Sequence, residues 1–307
     1  MSEERILVSV IIPVYNRLDD IKRCIQSLQC STMREFEIIV VDNCSTENIK
    51  EYVDTIAEND SSICCIRLNK NLMAAGGRNA GIAKARGKYL LFVDSDNIVA
   101  PDMIELLVEA MENDETIGMI GPVMLYYRKP SMVWFAGNDI NLFTSRTIYW
   151  QHNKDISDLK RTGIYETHHL PNLMMVRKAV QQKIGLFDES YYIMYEEADY
   201  AMRVRNAGYK IMVCRDAITY HNCFLPEEVV DNEMRKLGCD NPERTFHFSK
   251  NRGIFIRKYA PWYGRIAYMI FFRFLFAAYY CGTALKNGRK DIAKAWWKGT
   301  FYKENMM

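Results

Sequence analysis

Short apolar runs alternate with segments of helical periodicity along the first third of the chain. The runs are Arg5 to Ile12, Phe36 to Val41, Ile63 to Leu68 and Tyr89 to Val93, and their near-continuous apolar character marks strands buried on both faces of a parallel sheet. Between the first two, Ile21, Cys24, Ile25 and Leu28 fall on one helical face. Strands alternating with helices predict βαβ units and an α/β fold. Further along, Pro101 to Asn113 predicts a helix with Ile104, Leu107, Val108 and Met111 in one stripe, and Ile117 to Tyr127 returns to strand character. From Lys129 to His169 the pattern is irregular, as in long loops or hairpins over a binding cleft. Tyr209 to Val213 and Ala217 to Tyr220 read as strands, and Asn241-Pro242 opens a helix that runs to Tyr259.

Each early strand ends in polar or conformationally special residues: Pro13-Val14-Tyr15-Asn16, Asp42-Asn43-Cys44-Ser45, Asn69-Lys70-Asn71 and Asp94-Ser95-Asp96. Open α/β sheets bind ligands beyond the carboxyl ends of their strands, so these ends are expected to converge on one crevice. Asp94 and Asp96 share a face if the strand continues through them. Like charges held that close require a divalent cation or a raised pKa on one of them. Asp42 can accept from a base N–H or a ribose hydroxyl, or it can cap a helix that starts near Thr46. Gly76-Gly77-Arg78-Asn79-Ala80-Gly81 opens a helix, where small residues let a backbone come close and Arg78 can meet a phosphate. The plainer role is glycines for packing and a surface charge.

Taken in order, Ile11-Ile12-Pro13-Val14-Tyr15-Asn16-Arg17, Val40-Val41-Asp42-Asn43-Cys44-Ser45, Asn71 with Gly76 to Gly81, and Leu91-Phe92-Val93-Asp94-Ser95-Asp96 resemble the donor half of glycosyltransferase family 2. The resemblance implies the GT-A fold, an α/β, Rossmann-like, mostly parallel sheet flanked by helices, here with a C-terminal helical extension. It also implies an inverting transferase that uses a nucleotide-diphosphate sugar. Pro13 and Tyr15 would flank the base and Asp42 read it, Arg78, Asp94 and Ser95 would lie at the donor, and Asp96 would ligate Mn²⁺ or Mg²⁺. The chemistry is consistent, because breaking a sugar–diphosphate bond develops negative charge that a hard cation on oxygen ligands stabilises.

Leu170 to Lys178, which includes Asn172, then Ile184 to Glu189 and Tyr195 to Arg203 extend the resemblance into the acceptor side. The family's usual form at the last site is Glu-Asp-x-Asp with Arg four residues beyond; here Glu197 stands where Asp is more common. On a helix Glu196, Asp199 and Arg203 share a face, so Asp199 and Arg203 can pair. Glu197 is turned about 100° from Glu196, free to take the proton of an acceptor hydroxyl that comes within about 3 Å. Without the motifs upstream, the same acids would read as a helix N-terminus favoured by the dipole. His221 follows a strand, and although imidazole has many packing uses, the resemblance implies that it joins Asp96 on the cation. His168 and His169 are either acceptor contacts or packing.

Composition adds a compartment and an asymmetry. With 307 residues, 49% of them hydrophobic and 25% charged, the chain can bury a sizeable core. Nine cysteines without a Cys-x-x-Cys read as reduced thiols in a cytosolic setting. Residues 252–307 carry 11 Lys and Arg against 2 Asp and Glu, a net +9, while the rest of the chain is −7; that directs the tail to an anionic surface. Within the tail, Ile266 to Leu285 has the length of a membrane span and a single charge, Arg273,. An arginine near the middle of a span costs on the order of 2.5–3.5 kcal/mol. The expectation is therefore a helix lying on the inner face of the cell membrane, with Trp262, Tyr279, Tyr280, Trp296 and Trp297 as anchors and Lys286, Arg289, Lys290, Lys294 and Lys298 toward anionic lipid. Packing on the catalytic domain, or on a partner subunit in a homo-oligomer, is the alternative.

The chain thus divides into a GT-A catalytic domain, 1–240, with a nucleotide-sugar-binding half (1–100) and an acceptor-side half (101–240), and a basic helical region, 241–307, that meets the membrane through 254–303. No basic groove or nucleic-acid motif is present. The function expected is metal-dependent, inverting transfer to a hydroxyl acceptor, a glycan or lipid-linked glycan in cell-surface polysaccharide or glycoprotein glycan assembly. The alternatives are a nucleotide-sugar-binding scaffold without turnover, or a polyprenyl-phosphate sugar synthase, whose phosphate acceptor has little need of a base such as Glu197.

Overall fold

A computed structural model describes residues 6–229 and 233–302; Arg5, at the start of the first expected strand, and residue 303, at the end of the expected membrane contact, lie outside them. The first half is built from β1 (Val8–Val14), α1 (Leu18–Gln29), β2 (Phe36–Asp42), α2 (Ile49–Ala57), β3 (Ile63–Arg67), α3 (Met73–Ile82) and β4 (Tyr89–Val93). β1 pairs in parallel with β2 and β4, and β2 with β3. β1, β2 and β4 are buried along their whole length, as strands covered by helices on both faces must be. All four carboxyl ends therefore point the same way, and the loops after them share one edge of the sheet.

The second half comprises β5 (Asn97–Val99), α4 (Met103–Asn113), β6 (Ile117–Tyr126), β7 (Lys129–Phe135), β8 (Asn138–Asn141), β9 (Arg146–Tyr149), β10 (Ile164–Glu166), β11 (Leu173–Arg177), α5 (Lys178–Ile184), α6 (Glu196–Asn206) and β12 (Lys210–His221). The full strand order is β10-β12-β6-β11-β4-β1-β2-β3, with β11 antiparallel to both its neighbours and β12 parallel to β6. The stretch expected as two strands is the single strand β12, whose register shifts between Cys214 and Ile218; the irregularity takes up Arg215, Asp216 and Ala217 without ending the ladder. The irregular stretch resolves into β7 and a separate β8–β9 hairpin.

One local expectation is corrected. α3 begins at Met73, so Gly76 to Gly81 lie in its body rather than at its opening. A Cβ on Gly81 would stand 2.3 Å from Ile11 Cγ2, and one on Gly77 would stand 2.8 Å from Pro13 Cβ. The glycines let α3 press onto β1, which is what carries Arg78 into the interior.

The C-terminal helices are α7 (Glu233–Lys236), α8 (Pro242–Tyr259), α9 (Trp262–Ala267), α10 (Arg273–Lys286) and α11 (Lys290–Thr300), with a π turn at Tyr268–Phe272 between α9 and α10. Asn241 caps α8 by accepting from the N–H groups of Glu243 and Arg244, which satisfies donors that the helix itself cannot. α10 and α11 fold together around Ala277, Ala284, Ile292 and Trp296. Two expected membrane anchors are thereby reassigned: Trp296 is 1% exposed and Tyr280 stacks on it with ring centroids 3.7 Å apart. Arg273 is also engaged, its Nε donating to the Thr300 carbonyl at 2.9 Å. The outward side is apolar, with Trp262 and Ile270 each 72% exposed and Phe271 and Phe274 beside them. The helical stretch Trp262–Lys286 has the length and composition to cross a bilayer.

Candidate active site

The site begins where β4 ends. β4 stops at Val93, so Asp94 and Asp96 sit in a turn rather than on one strand face, and their side chains part. Asp94 accepts from Arg78 Nη2 at 2.8 Å. Asp96 accepts from Arg17 Nη1 at 2.6 Å, and its other oxygen lies 3.5 Å from His221 Nε2. His221 ends β12, which pairs with β5 immediately after Asp96; the ladder from residue 221 to residue 97 is what brings acid and imidazole together.

Arg78 is fully buried, and the same Nη2 that meets Asp94 meets Glu197 Oε1 at 2.7 Å. Glu197 Oε1 also accepts the Asn172 backbone N–H at 3.1 Å, and the Asn172 amide lies 3.1 Å from His221 Nε2. Asn172, in a left-handed conformation at the start of β11, thus touches both the carboxylate and the imidazole. Trp134 presents its ring edge to His221 at 4.5 Å between centroids.

Electrostatics follow from this packing. Burial opposes charge on both Asp96 and His221, but each stabilises the other: Asp96 is held below the ordinary carboxylate range by His221 and Arg17. His221, between Asp96 and Cys223, is pushed up to about 10. Partial burial pushes Asp94 up to about 6 against the pull of Arg78. Glu196, 7% exposed, is pushed up to about 7 by burial and by Glu197 beside it, and its Oε2 has no hydrogen-bond partner. His169 is pulled down to about 4 by burial, so it is neutral, and it packs against Asn138.

Asp42, Pro13 and Tyr15, the residues expected at the base, lie at the carboxyl ends of β2 and β1. Asp42 is fully buried at the end of β2, accepting from the Ser45 N–H at 2.8 Å and from Arg67 Nη1 at 2.7 Å. It caps the turn after β2 and retains lone pairs for another donor. Tyr15 is 48% exposed and Ser95 is buried. Asp199 and Arg203 pair at 2.9 Å as their spacing requires. Asp199 also accepts from Tyr191, Tyr259 and Lys258, which fastens α6 to α8.

A cavity of about 570 Å³ opens beside this cluster, with Arg78, Asp94, Glu196 and Glu197 at one end. Its other side is formed by α8. There Asn251 donates to the carbonyls of Tyr191, Ile193 and Met194, and Arg252 Nε approaches the Tyr195 hydroxyl at 3.4 Å. In the sequence this place is marked by the Lys250-Asn251-Arg252 run, which resembles the Arg-Asn element late in related enzymes.

The residues suit a hard cation. Asp96 Oδ1 is buried without a hydrogen-bond partner and faces a nitrogen of His221, an oxygen–nitrogen pair of the kind Mn²⁺ accepts. Among the described residues no group of three or more His, Cys, Asp or Glu forms a complete metal cage. Any cation here would need oxygens from a bound ligand or water, the usual situation for ions that sit on phosphates.

The glycosyl transferase family 2 model matches residues 9–185, more than half of the chain, from β1 through β11; Glu196, Glu197 and His221 lie beyond it. The chain belongs to glycosyl transferase family 2. Among curated relatives, it is similar to the glycosyltransferase GlyG of Streptococcus pneumoniae, 32% identical over 129 residues, 42% of this chain and 43% of that protein. It is also similar to a putative teichuronic acid biosynthesis glycosyltransferase, TuaG, of Bacillus subtilis, 34% identical over 111 residues, 36% of this chain and 44% of that protein. The matched stretch spans less than half the length of either relative. In fold it is similar to GalNAc-T7, crystallised with UDP, GalNAc and Mn²⁺, at a TM-score of 0.61 and 18% identity over 89% of this chain and 54% of that one. The GT-A architecture expected of a family 2 chain is the one observed, a central sheet with helices on both faces and a C-terminal helical part.

Proposed function

We propose that this family 2 chain is an inverting glycosyltransferase that moves a sugar from a nucleotide-diphosphate sugar to an acceptor hydroxyl, in the building of a surface glycan. The observation that carries the reading is the bridge through Asn172, which links Glu197 to His221 and hence to Asp96 at the carboxyl edge of the sheet. Three segments far apart in sequence supply a base, an imidazole and an acid to one crevice. Pro13, Tyr15 and Asp42 hold the nucleoside; Arg78, Asp94 and Ser95 line the sugar end.

Glu197 takes the proton from the acceptor hydroxyl as its oxygen attacks the anomeric carbon. The bond from that carbon to the diphosphate oxygen breaks, its electron pair leaves with the diphosphate, and configuration inverts. Arg78 fixes the Glu197 carboxylate and balances its charge until the proton arrives. Asp96 and His221 would hold Mn²⁺ or Mg²⁺, which supplies positive charge to the departing diphosphate. Asn172 and the Asp199–Arg203 pair position the base through α6.

The tail supports work at a membrane surface. Trp262, Ile270, Phe271 and Phe274 face outward from α9 to α10; Arg265 and Lys286 lie on those helices, and Lys290, Lys294 and Lys298 on α11, which packs against α10. Apolar side chains with basic neighbours suit the interface of an anionic leaflet, here the cytoplasmic face, where a lipid-linked glycan is presented. The test is a panel of nucleotide sugars screened with Mn²⁺ by thermal shift and then by donor hydrolysis and transfer. At least one donor is expected to raise the melting temperature and to turn over, with turnover abolished in Asp96→Ala. Glu197→Gln is expected to retain donor binding and lose transfer. Binding without turnover in any condition supports a scaffold instead, and unchanged transfer by Glu197→Gln removes the base from the mechanism.

A further inference from the structure

The cavity beside Glu197 is lined by side chains of both charges: Glu196 and Glu197, and Arg146 from β9 with Arg244 and Arg252 from α8. Arg252 and Ser145, the neighbour of Arg146, both meet the Tyr195 hydroxyl. Among the described residues, none of these three arginines has a carboxylate partner. Arg146 and Arg244 are exposed at the rim. Arg252 is 2% exposed, and its Nη1 has no hydrogen-bond partner.

A buried guanidinium ordinarily has an acid beside it, because removing it from water costs several kcal/mol that one good ion pair can offset. Arg252 has aromatic faces and two phenols, those of Tyr195 and Tyr280, but no carboxylate. Its guanidinium carbon lies 4.3 Å from the Phe276 ring centroid and 4.8 Å from that of Phe248, with Tyr280 and Trp296 about a further ångström away. Ring faces partly compensate a cation, yet they leave its in-plane donors without acceptors, and guanidinium donors suit a tetrahedral or planar oxyanion. If packing were the only need, an uncharged side chain of similar length would serve better. The charge is retained beside a cavity large enough for a ligand.

The first of these phenols ties the arginines to the catalytic side. The Tyr195 hydroxyl bonds Ser145, next to Arg146, at 2.8 Å, and Tyr195 leads directly into Glu196 and Glu197. A ligand that fills the cavity can therefore present a hydroxyl to Glu197 while its anionic group meets the arginines. We infer that the part of the cavity lined by Arg146, Arg244 and Arg252 is an acceptor subsite for a phosphate group, so that the acceptor of this transferase carries phosphate close to the hydroxyl that is glycosylated. Phosphate is favoured over carboxylate because three unneutralised guanidinium groups exceed the charge of one carboxylate. The phosphate belongs either to a diphosphate that anchors the acceptor to lipid or to a phosphodiester within the glycan. The inference rests on the transfer reading above for the word acceptor, while the site itself is tested without turnover.

The experiment is titration calorimetry of the full chain in EDTA, so that no cation bridges a diphosphate to Asp96 and His221. Inorganic pyrophosphate, farnesyl diphosphate, a glycerol phosphodiester and glucuronate are the probes. A phosphate probe is expected to bind, and Arg146→Gln and Arg244→Gln are each expected to weaken it about ten-fold, with thermal melting unchanged because both side chains are at the surface. Arg252→Met is expected to abolish binding; if it does not fold, the two rim variants decide. Tighter binding of farnesyl diphosphate assigns the phosphate to the lipid, and tighter binding of the phosphodiester assigns it to the glycan. Glucuronate bound as well as pyrophosphate, or phosphate binding indifferent to all three arginines, overturns the inference. If donors turn over but phosphate ignores the arginines, only this subsite falls; if phosphate binding depends on them and no donor turns over, it is the transfer reading that fails.

Discussion

Arg78 and Glu197 meet at 2.7 Å across 119 positions of sequence, with the arginine fully buried. The contact joins the first half of the sheet to the helix that bears the proposed base. The same nitrogen holds Asp94, so one cation bridges two carboxylates. Removing it strands both: Arg78→Met is expected to cost about 3–5 kcal/mol at neutral pH, the usual penalty for breaking a buried pair. Without Arg78, Asp94 would take up a proton more readily, so the penalty should shrink as pH falls toward about 5. Urea denaturation of both proteins at several pH values measures this. A penalty that is constant with pH contradicts the pairing.

Glu196 supplies a second pH signature. The groups that face it are Glu197 and Asp94, which favour its protonated form, and Arg78, which opposes them. With its carboxyl pushed up to about 7 against about 4.3 in an unfolded chain, the folded state keeps a proton that the unfolded state has lost. Its contribution to stability is therefore best below the unfolded value, falls as pH rises through the interval, and is fully lost above the folded value. Glu196→Gln is expected to match the wild type near pH 4 and to exceed its stability by up to about 3 kcal/mol near pH 8. Denaturation curves at the two pH values check this, and a difference that does not vary with pH counts against it.

Much of this arrangement is legible in the chain, for reasons that differ by residue. β1, β2 and β4 are written as apolar runs because both their faces are covered, and the acids just beyond them mark the ligand edge. His221 and Asp96 can be matched only through a resemblance, since their meeting depends on the β5–β12 ladder. Arg78 reads either as a phosphate contact or as a surface charge, and its burial is not legible because local pattern does not report that α3 is pressed onto β1 through Gly77 and Gly81. Trp296 and Tyr280 read as membrane anchors for a similar reason. An aromatic, basic helix looks the same whether it faces lipid or folds onto its neighbour, and the choice is made by tertiary contacts with Phe248 and Arg252.

Asn251 sets the geometry of the segment that carries Glu197. Its amide donates to the carbonyls of Tyr191, Ile193 and Met194, and these surround left-handed conformations at Tyr192, Met194 and Tyr195. Non-glycine residues there cost on the order of 1–3 kcal/mol each and persist only when surrounding contacts hold them. Asn251→Ala removes those contacts and leaves carbonyls unpaired, for an expected loss of about 2–4 kcal/mol. Transfer should fall further than stability accounts for, because Glu196 and Glu197 begin at this loop. Measured at a temperature where the variant is folded, kcat is expected to drop at least about ten-fold with donor affinity unchanged; an unaltered kcat would separate the loop from the chemistry.

The two ends of the tail's aromatic set make opposite predictions. Trp262 is 72% exposed, whereas Trp296 is 1% exposed, stacked on Tyr280 and edge-on to Phe248. Trp296→Ala opens a cavity in the packing of α8, α10 and α11 and should cost about 3–5 kcal/mol of stability. Trp262→Ala should leave melting unchanged. If the exposed face of α9 and α10 lies in lipid, replacing apolar residues with acids there removes burial worth about 1.5–3 kcal/mol per side chain and adds repulsion from anionic headgroups. Ile270→Glu with Phe271→Glu is therefore expected to reduce sedimentation with phosphatidylglycerol vesicles by at least about a hundred-fold in affinity, while donor hydrolysis in solution persists. Wild-type protein that ignores such vesicles, or a double variant that binds them equally well, would leave the apolar face facing a partner subunit instead of a bilayer.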